Sequence, residues 1–305
     1  MKKVVFALAG LLAMAVLAFA FFYKANIPIE TLKSKYANEH SQFMEIDGMQ
    51  VHYRIEGEGP TLVLVHGTAA SLHTWDGWTA QLQDSFRIIR MDIPAFGLTG
   101  SNTNNDYSMA TYVDFLNQFL EKLGVNEFYL AGNSLGGNIA WNYTSNYTEK
   151  VKKLILVDAS GFPLKKITSV FKIARNPAGA FLLKNILPKS FLEKNIKQVY
   201  FDDTKITESL IDRYYEMALR EGNRDAFVAR ARTMLTQENP DLSNVTCPTL
   251  ILWGEHDEWV PVENAYRFDS AIQDSKLIVY DNAGHVPMEE IPNVTANDVR
   301  EFLSE

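Results

Sequence analysis

The stretch Glu127-Phe128-Tyr129-Leu130-Ala131-Gly132-Asn133-Ser134-Leu135-Gly136-Gly137 decides how the rest of the chain is read. Its first half, residues 128–131, is short, apolar and partly aromatic, the pattern of a buried strand. Its second half sets three glycines around one serine and opens a helical run over residues 138–147. A strand that turns sharply into a helix holds the serine of a G-x-S-x-G pattern on a strained corner. Small residues are needed there, because a Cβ at Gly132 or Gly136 clashes with the neighbouring strand and helix. The corner lifts the hydroxyl above the sheet, with a helix N-terminus behind it to face developing negative charge. A phosphate-binding glycine turn fits poorly, since the stretch has neither G-x-G-x-x-G nor a Walker lysine.

Outward from this corner, strand and helix patterns alternate. Upstream, residues 43–47 and 50–55 alternate around the Asp47-Gly48 turn, and residues 61–65 form a continuous apolar strand ending in His66-Gly67-Thr68. A helix is expected over 71–84, a strand over 86–91 and a helix over 108–123 with Tyr112, Phe115, Leu116, Phe119 and Leu120 on one face. Downstream, residues 151–157 are a strand ending at Asp158. Residues 249–253 and 276–280 are strands, and 262–273 and 294–304 are helices. Residues 162–240 break the alternation with several helical segments, including 205–221, and no good strand. The alternation predicts a mostly parallel, doubly wound α/β sheet covered on both faces, with 162–240 as a helical cap over the carboxyl ends of the strands. The expected division is a core of 43–161 and 241–305 and a cap of 162–240.

Composition bounds the function. The chain has 305 residues, 47 % of them hydrophobic and 22 % charged, which suits one large globular domain with an insertion. A net charge of -8 argues against nucleic acid as partner. One cysteine, Cys247, cannot form an internal disulfide, and no Cys/His cluster has metal spacing. Met1-Lys2-Lys3 precedes an uncharged run over 4–22, long enough to come near spanning a bilayer core of about 30 Å. Residues 1–23 are expected to be a signal anchor or a signal peptide cleaved after Ala18-Phe19-Ala20, and 24–42 a stalk and lead-in helix. The anchor reading makes the membrane a partner of the N-terminal segment, the cleaved reading leaves a periplasmic or secreted protein, and both put the folded part outside the cytoplasm.

Four motifs in order, His66-Gly67-Thr68, Gly132-Asn133-Ser134-Leu135-Gly136, Trp253-Gly254-Glu255-His256-Asp257 and Gly284-His285, make residues 43–305 resemble the α/β-hydrolase fold family, in its capped serine esterase and lipase-like branch. The resemblance implies a triad of Ser134 as nucleophile, His285 as base and an acid that orients the base. Asp257 matches the position of the family's acid. Asp158, after the preceding strand, is the rival, since some members use that position. The resemblance gives Thr68 and Leu135 as the backbone donors of an oxyanion hole, and His66 as a structural histidine shaping that loop. Asp92, Pro94 and Gly97 resemble the family's D-x-P-G-x-G turn, with Ala95 where glycine is usual. Trp259 and Phe162 are candidate pocket walls, as are apolar residues at 181–187. Arg213 and the other cap arginines read as solvated helix-face charges. No cofactor or metal is expected.

The activity implied is hydrolysis of a small apolar carboxylic ester. The same triad also serves relatives that cleave a carbon–carbon bond in ring-fission products, whose elbow the Gly-Asn-Ser-Leu-Gly-Gly segment resembles. Their substrates carry carboxylates, so a cationic cap residue facing the pocket favours that alternative, and an extracytoplasmic location weighs against it. Dehalogenase and epoxide-hydrolase relatives need aspartate where Ser134 stands. Some family members are receptors without activity.

Overall fold

The computed structural model describes residues 19–163, 167–233 and 241–305, together with positions 6, 10, 13, 14 and 17. The apolar run over 4–22, read above as anchor or signal, therefore lies largely outside the described residues. Among the described residues no helix is long and apolar enough to cross a membrane.

Eight strands form one sheet. In chain order they are β1 (Ser41–Ile46), β2 (Met49–Glu56), β3 (Thr61–Val65), β4 (Arg87–Met91), β5 (Phe128–Asn133), β6 (Val151–Val157), β7 (Thr249–Gly254) and β8 (Ser275–Tyr280), arranged β1-β2-β4-β3-β5-β6-β7-β8. The pairs β1/β2 and β2/β4 are antiparallel, and every other pair is parallel. The sheet is thus the doubly wound α/β arrangement expected from the alternation. The strand order reverses at β3, which pairs with β4 on one side and β5 on the other. In open sheets of this kind a crevice forms outside the carboxyl ends at such a reversal.

Successive side chains of a strand point to opposite faces, and each face has its own core. Val63, Val65, Leu130, Leu156 and Ile251 pack with α3 (Met109–Lys122), α4 (Leu135–Asn146) and α10 (Glu263–Ala271). Leu62, Leu64, Ala131, Ile155 and Leu252 pack with α2 (Asp76–Leu82) and α12 (Pro292–Ser304). Near the N-terminus, α1 (Ile29–Tyr36) lies within the segment 24–42. The helix expected over 71–84 is shorter: residues 72–75 form a 3-10 turn before α2 begins. Between β6 and β7 lie α5 (Ser169–Arg175), α6 (Pro177–Asn185), α7 (Lys189–Ile196), α8 (Glu208–Leu219) and α9 (Asn223–Thr233), with no strand among the described residues. The short α11 (Pro287–Glu290) precedes α12.

The corner at Ser134 is sharper than the sequence suggests. Strand β5 continues through Asn133 and α4 starts at Leu135, so one residue makes the turn, at φ 54° and ψ -114°. Ala95 also takes a positive φ, 87°, which explains why glycine suits that place in the turn. The glycines flanking Ser134 are there for steric room. A Cβ on Gly136 would lie 2.0 Å from the Val65 carbonyl oxygen, and one on Gly132 would lie 2.2 Å from that of Gly136.

Gly136→Ala is therefore expected to lower stability by about 3 kcal/mol or more, since backbone is what obstructs the methyl. Gly124→Ala, at φ +67° with nothing within 4 Å of the added carbon, is expected to cost about 1 kcal/mol. Urea unfolding of the two variants checks the order, and equal or reversed losses contradict it.

Candidate active site

At the carboxyl edge of the sheet the loops after β3, β6, β7 and β8 line one cavity with Ser134. The serine is half-buried, and its N–H donates to the Val157 carbonyl across to β6, at 3.1 Å. Leu135 is the first residue of α4 and carries one of the N–H groups that a helix leaves without an internal partner. The loop after β3 presses against the corner from the other side, where a Cβ on Gly67 would come within 3.1 Å of the Ser134 Cβ. His66 pins that loop. It is fully buried, its Nδ1–H donates to the Gly67 carbonyl at 2.7 Å, and its Nε2 accepts from the Ile93 N–H at 3.1 Å. Those two bonds specify the neutral Nδ1–H tautomer, and burial lowers the pKa of the ring.

His285 lies on the loop after β8. Its Nδ1–H donates to Asp257 Oδ2 at 2.6 Å, which leaves Nε2 of the neutral ring as an acceptor. The other oxygen of Asp257 accepts from the N–H groups of Trp259 (2.7 Å) and Val260 (2.9 Å). Asp158, the rival acid, is also there. It is completely buried at φ 44°, its Oδ1 accepts from the Gly254 N–H at 3.0 Å, and its Oδ2 has no partner. One oxygen of each aspartate and a ring nitrogen of His285 lie within 4.8 Å of one another. Burial and then the charge of Asp257 push the Asp158 carboxyl well above its ordinary range. The cluster has metal-like spacing, but the Asp257 oxygens and Asp158 Oδ1 are already committed to the imidazole and to backbone donors. The donor set suits a hydrogen-bonded imidazole beside a neutral acid better than a cation.

Three residues that the sequence did not single out hold these loops together. Asn133 donates from Nδ2 to the carbonyls of Val157 (3.1 Å) and His285 (3.0 Å), so the elbow strand and the histidine loop share one side chain. The Ser160 N–H donates to the Ser134 carbonyl at 3.0 Å. Glu290, almost fully buried, accepts from the N–H groups of Gly284 (2.8 Å), Phe201 (2.9 Å) and Asp202 (2.7 Å), which joins the histidine loop to the helical segment. The His285 N–H adds a 2.7 Å bond to the Val199 carbonyl of that segment. A buried polar residue flanked by glycines, or one just past a histidine loop, was the available signal, and it does not distinguish these roles without the fold.

Ser134, Leu135, Thr68 and His285 line one cavity of about 100 Å³. A second lobe of about 100 Å³ adjoins it, walled by Val170, Leu183, Leu187, Met217 and Phe227. Thr68, Leu192 and Trp259 face both. Trp259 stacks on the His285 ring at 6.0 Å. Phe162 lines neither lobe. It packs on Phe268 at 4.8 Å, because the chain after β6 dives against α10. Within 181–187, Leu183 and Leu187 face the lobe while Phe181 and Leu182 are exposed. Arg232 is exposed, as expected of a solvated helix-face charge, but other cap arginines are not. Arg213 pairs with Glu289 at 2.8 Å, and Arg224 and Arg230 are buried, because α9 is packed between the other helices and the 94–97 loop. Cys247 is buried and unbonded.

A sequence profile described as alpha/beta hydrolase fold matches residues 60–292. The chain is similar to a 2-hydroxy-6-oxononadienedioate/2-hydroxy-6-oxononatrienedioate hydrolase of Klebsiella pneumoniae, with 26% identity over 262 residues, 80% of this chain and 89% of the relative. Among solved structures it is similar to a serine hydrolase involved in carbazole degradation, with TM-score 0.75 and 26% identity over 87% of this chain and 98% of the other. A membrane phospholipase A described as a bacterial virulence factor gives TM-score 0.75 and 25% identity over 100% of this chain and 98% of the other.

The Asp158 carboxyl makes stability depend on pH. Its folded-state pKa stands above the unfolded value, so its contribution is full below the ordinary carboxyl pKa of about 3.9 and is lost as pH rises through the folded value. Asp158→Asn removes that loss. Urea unfolding at about pH 5 and about pH 8 is expected to show the variant gaining on the wild type as pH rises, and parallel pH profiles contradict the assignment.

Proposed function

This chain belongs to the alpha/beta hydrolase fold family, and on that premise we propose that it is a serine hydrolase of carboxylic esters with an apolar acyl or alcohol part. One observation carries the reading. Ser134, held at φ 54°, shares a cavity with His285, whose ring is oriented by Asp257 at 2.6 Å, and an apolar lobe adjoins that cavity. Ser134 Oγ attacks the ester carbonyl while His285 Nε2 takes its proton. Asp257 keeps Nδ1–H in place and stabilises the imidazolium. The N–H groups of Leu135 and Thr68 hold the oxyanion of the tetrahedral intermediate. His285 returns the proton to the leaving alkoxide, then activates the water that releases the acid from Ser134. Each step needs only side chains and backbone named here. The division into a core and a cap of 162–240 belongs to the same reading, the cap supplying the apolar lobe.

Membrane attachment through 4–22, with the folded part outside the cytoplasm, is part of the proposal. The similarity to a membrane phospholipase A supports the attachment. The segment after that run is itself tied to the helices by backbone bonds. The Lys24 N–H donates to the Asn185 carbonyl and the Ile27 N–H to that of Leu219, each at 2.8 Å.

A second reading is carbon–carbon hydrolysis of a carboxylate-bearing dienone with the same three residues. The Klebsiella relative's name supports it, and so does a buried cation, Arg230, in the cavity wall.

The wild type is expected to release p-nitrophenol from short- and medium-chain esters. Ser134→Ala should lower the rate by about ten-thousand-fold or more, and Asp257→Asn by about a thousand- to ten-thousand-fold. An ester panel varying only chain length reads out the apolar lobe. Equal inertness of wild type and Ser134→Ala on esters, with cleavage of a carboxylated dienoate, overturns the ester reading in favour of the second.

A further inference from the structure

Large apolar side chains exposed among the described residues fall mostly in the N-terminal run and on α6 (Pro177–Asn185). At the end of the run Phe21 is 79% exposed and Phe22 51%, and on α6 Phe181 is 54% and Leu182 49%. The two places touch. The Phe19 and Phe181 rings stack at 5.7 Å, and the Lys24 N–H donates to the Asn185 carbonyl at 2.8 Å. Arg224 carries the contact inward: it lines the apolar lobe and donates from Nη2 to the Lys24 carbonyl (2.7 Å) and to Asn26 Oδ1 (2.6 Å).

A helix on a water-facing surface carries polar residues on its outer side. On α6 the buried side holds Ala180 and Leu183, the second of which lines the lobe, and the exposed residues are Pro177, Ala178, Phe181 and Leu182. Its one charged residue, Lys184, pairs with Asp225 at 2.7 Å. A helix that is apolar on both sides belongs where something apolar meets its outer side. Residues 19–22 close the run proposed above to be membrane-attached. Tyr23 and Lys24 follow, residue types that sit at the membrane–water boundary. Phe19 lies one helical turn before Tyr23, whose N–H donates to the Phe19 carbonyl at 2.8 Å. One turn puts Phe19 up to about 6 Å deeper than that boundary. Phe181, stacked on Phe19, shares its depth, which is within the roughly 5–10 Å to which an interfacial helix sinks.

We propose that α6 lies in the bilayer surface with Phe181 and Leu182 among the lipid chains, so that one helix separates the apolar lobe from the membrane. The substrate class is then an ester lipid taken from the bilayer, in place of an ester dispersed in water. The proposal rests on the attachment reading above and, for the reacting bond, on the ester reading. The contact of α6 with lipid is tested without turnover.

The test uses the full chain in phosphatidylcholine vesicles, with Cys247→Ala and one added cysteine that carries a nitrobenzoxadiazole dye. The added change is Leu182→Cys on α6 or Asn126→Cys, exposed just before β5 at the opposite, amino edge of the sheet. Vesicles whose lipid chains bear a shallow nitroxide are expected to quench the dye at position 182 about twofold or more and to leave the dye at 126 within about a tenth of its intensity. Phe181→Asp combined with Leu182→Asp puts charge among the lipid chains. That variant is expected to hydrolyse a vesicle-borne ester lipid about tenfold or more slowly, to keep its rate on a water-soluble p-nitrophenyl ester within about twofold, and to keep its Tm. A chain held in the vesicles but unquenched at 182 overturns the proposal, the patch then being covered by protein, a second copy included. Equal quenching at both positions, or equal loss on both esters, also overturns it. Failure of the attachment reading is distinct: the chain is recovered in the soluble fraction after an alkaline carbonate wash, and both readings fall. Failure of the ester reading shows as inert esters with quenching at 182 intact.

Discussion

The left-handed backbone of Ser134 is the constraint on which the rest of the site depends. A non-glycine residue at φ 54° and ψ -114° costs on the order of 1–3 kcal/mol and persists only where the surroundings over-determine it. Here they do. The strand before it is locked between β3 and β6, its N–H and carbonyl are taken by Val157 and Ser160, and the helix after it can approach because Gly136 and Gly137 leave room for Val65 and Ala159. The strain has one structural product. A single residue makes the strand-to-helix turn, so its hydroxyl and the first unpaired N–H groups of α4 emerge side by side at the sheet reversal.

A second constraint is electrostatic. Asp158, Asp257, His285 and Glu290 are all buried at one edge of the sheet. The fold manages them in different ways: Asp257 is ringed by the imidazole and two backbone donors, Glu290 by three backbone donors, and Asp158 by one donor with its carboxyl pushed toward the neutral form. The backbone donors of Glu290 come from both the histidine loop and the helical segment. The same bonds that satisfy this charge therefore fasten the cover over the cavity to the residue beneath it.

The fold was legible because its signals are local. Buried parallel strands write themselves as apolar runs, and the glycines beside Ser134 mark a turn that nothing larger fits. The candidate triad was legible because each member follows a strand that ends at the same edge. What was not legible depends on which way a helix faces and what lies across from it. Phe162 and Trp259 are both aromatic residues near the edge, yet one is held by Phe268 in the core and the other stacks on His285. Arg213, Arg224 and Arg230 look alike in sequence, and only the packing of α8 and α9 separates a paired charge from two buried ones. Asn133 could be read as a spacer in the elbow, because its two acceptors lie 24 and 152 residues away. The segment 162–240 has the weakest sequence signal because its helices are short and are ordered by one another.

We propose that Ser134 is a nucleophile activated by His285 and Asp257. Intact-mass and peptide mass spectrometry after treatment with an alkyl fluorophosphonate tests it most directly, since that reagent phosphonylates an activated serine hydroxyl with loss of fluoride. The account predicts a single adduct on the peptide containing Ser134, formed far more slowly in Asp257→Asn. An unmodified protein, or an adduct on any other residue, contradicts it.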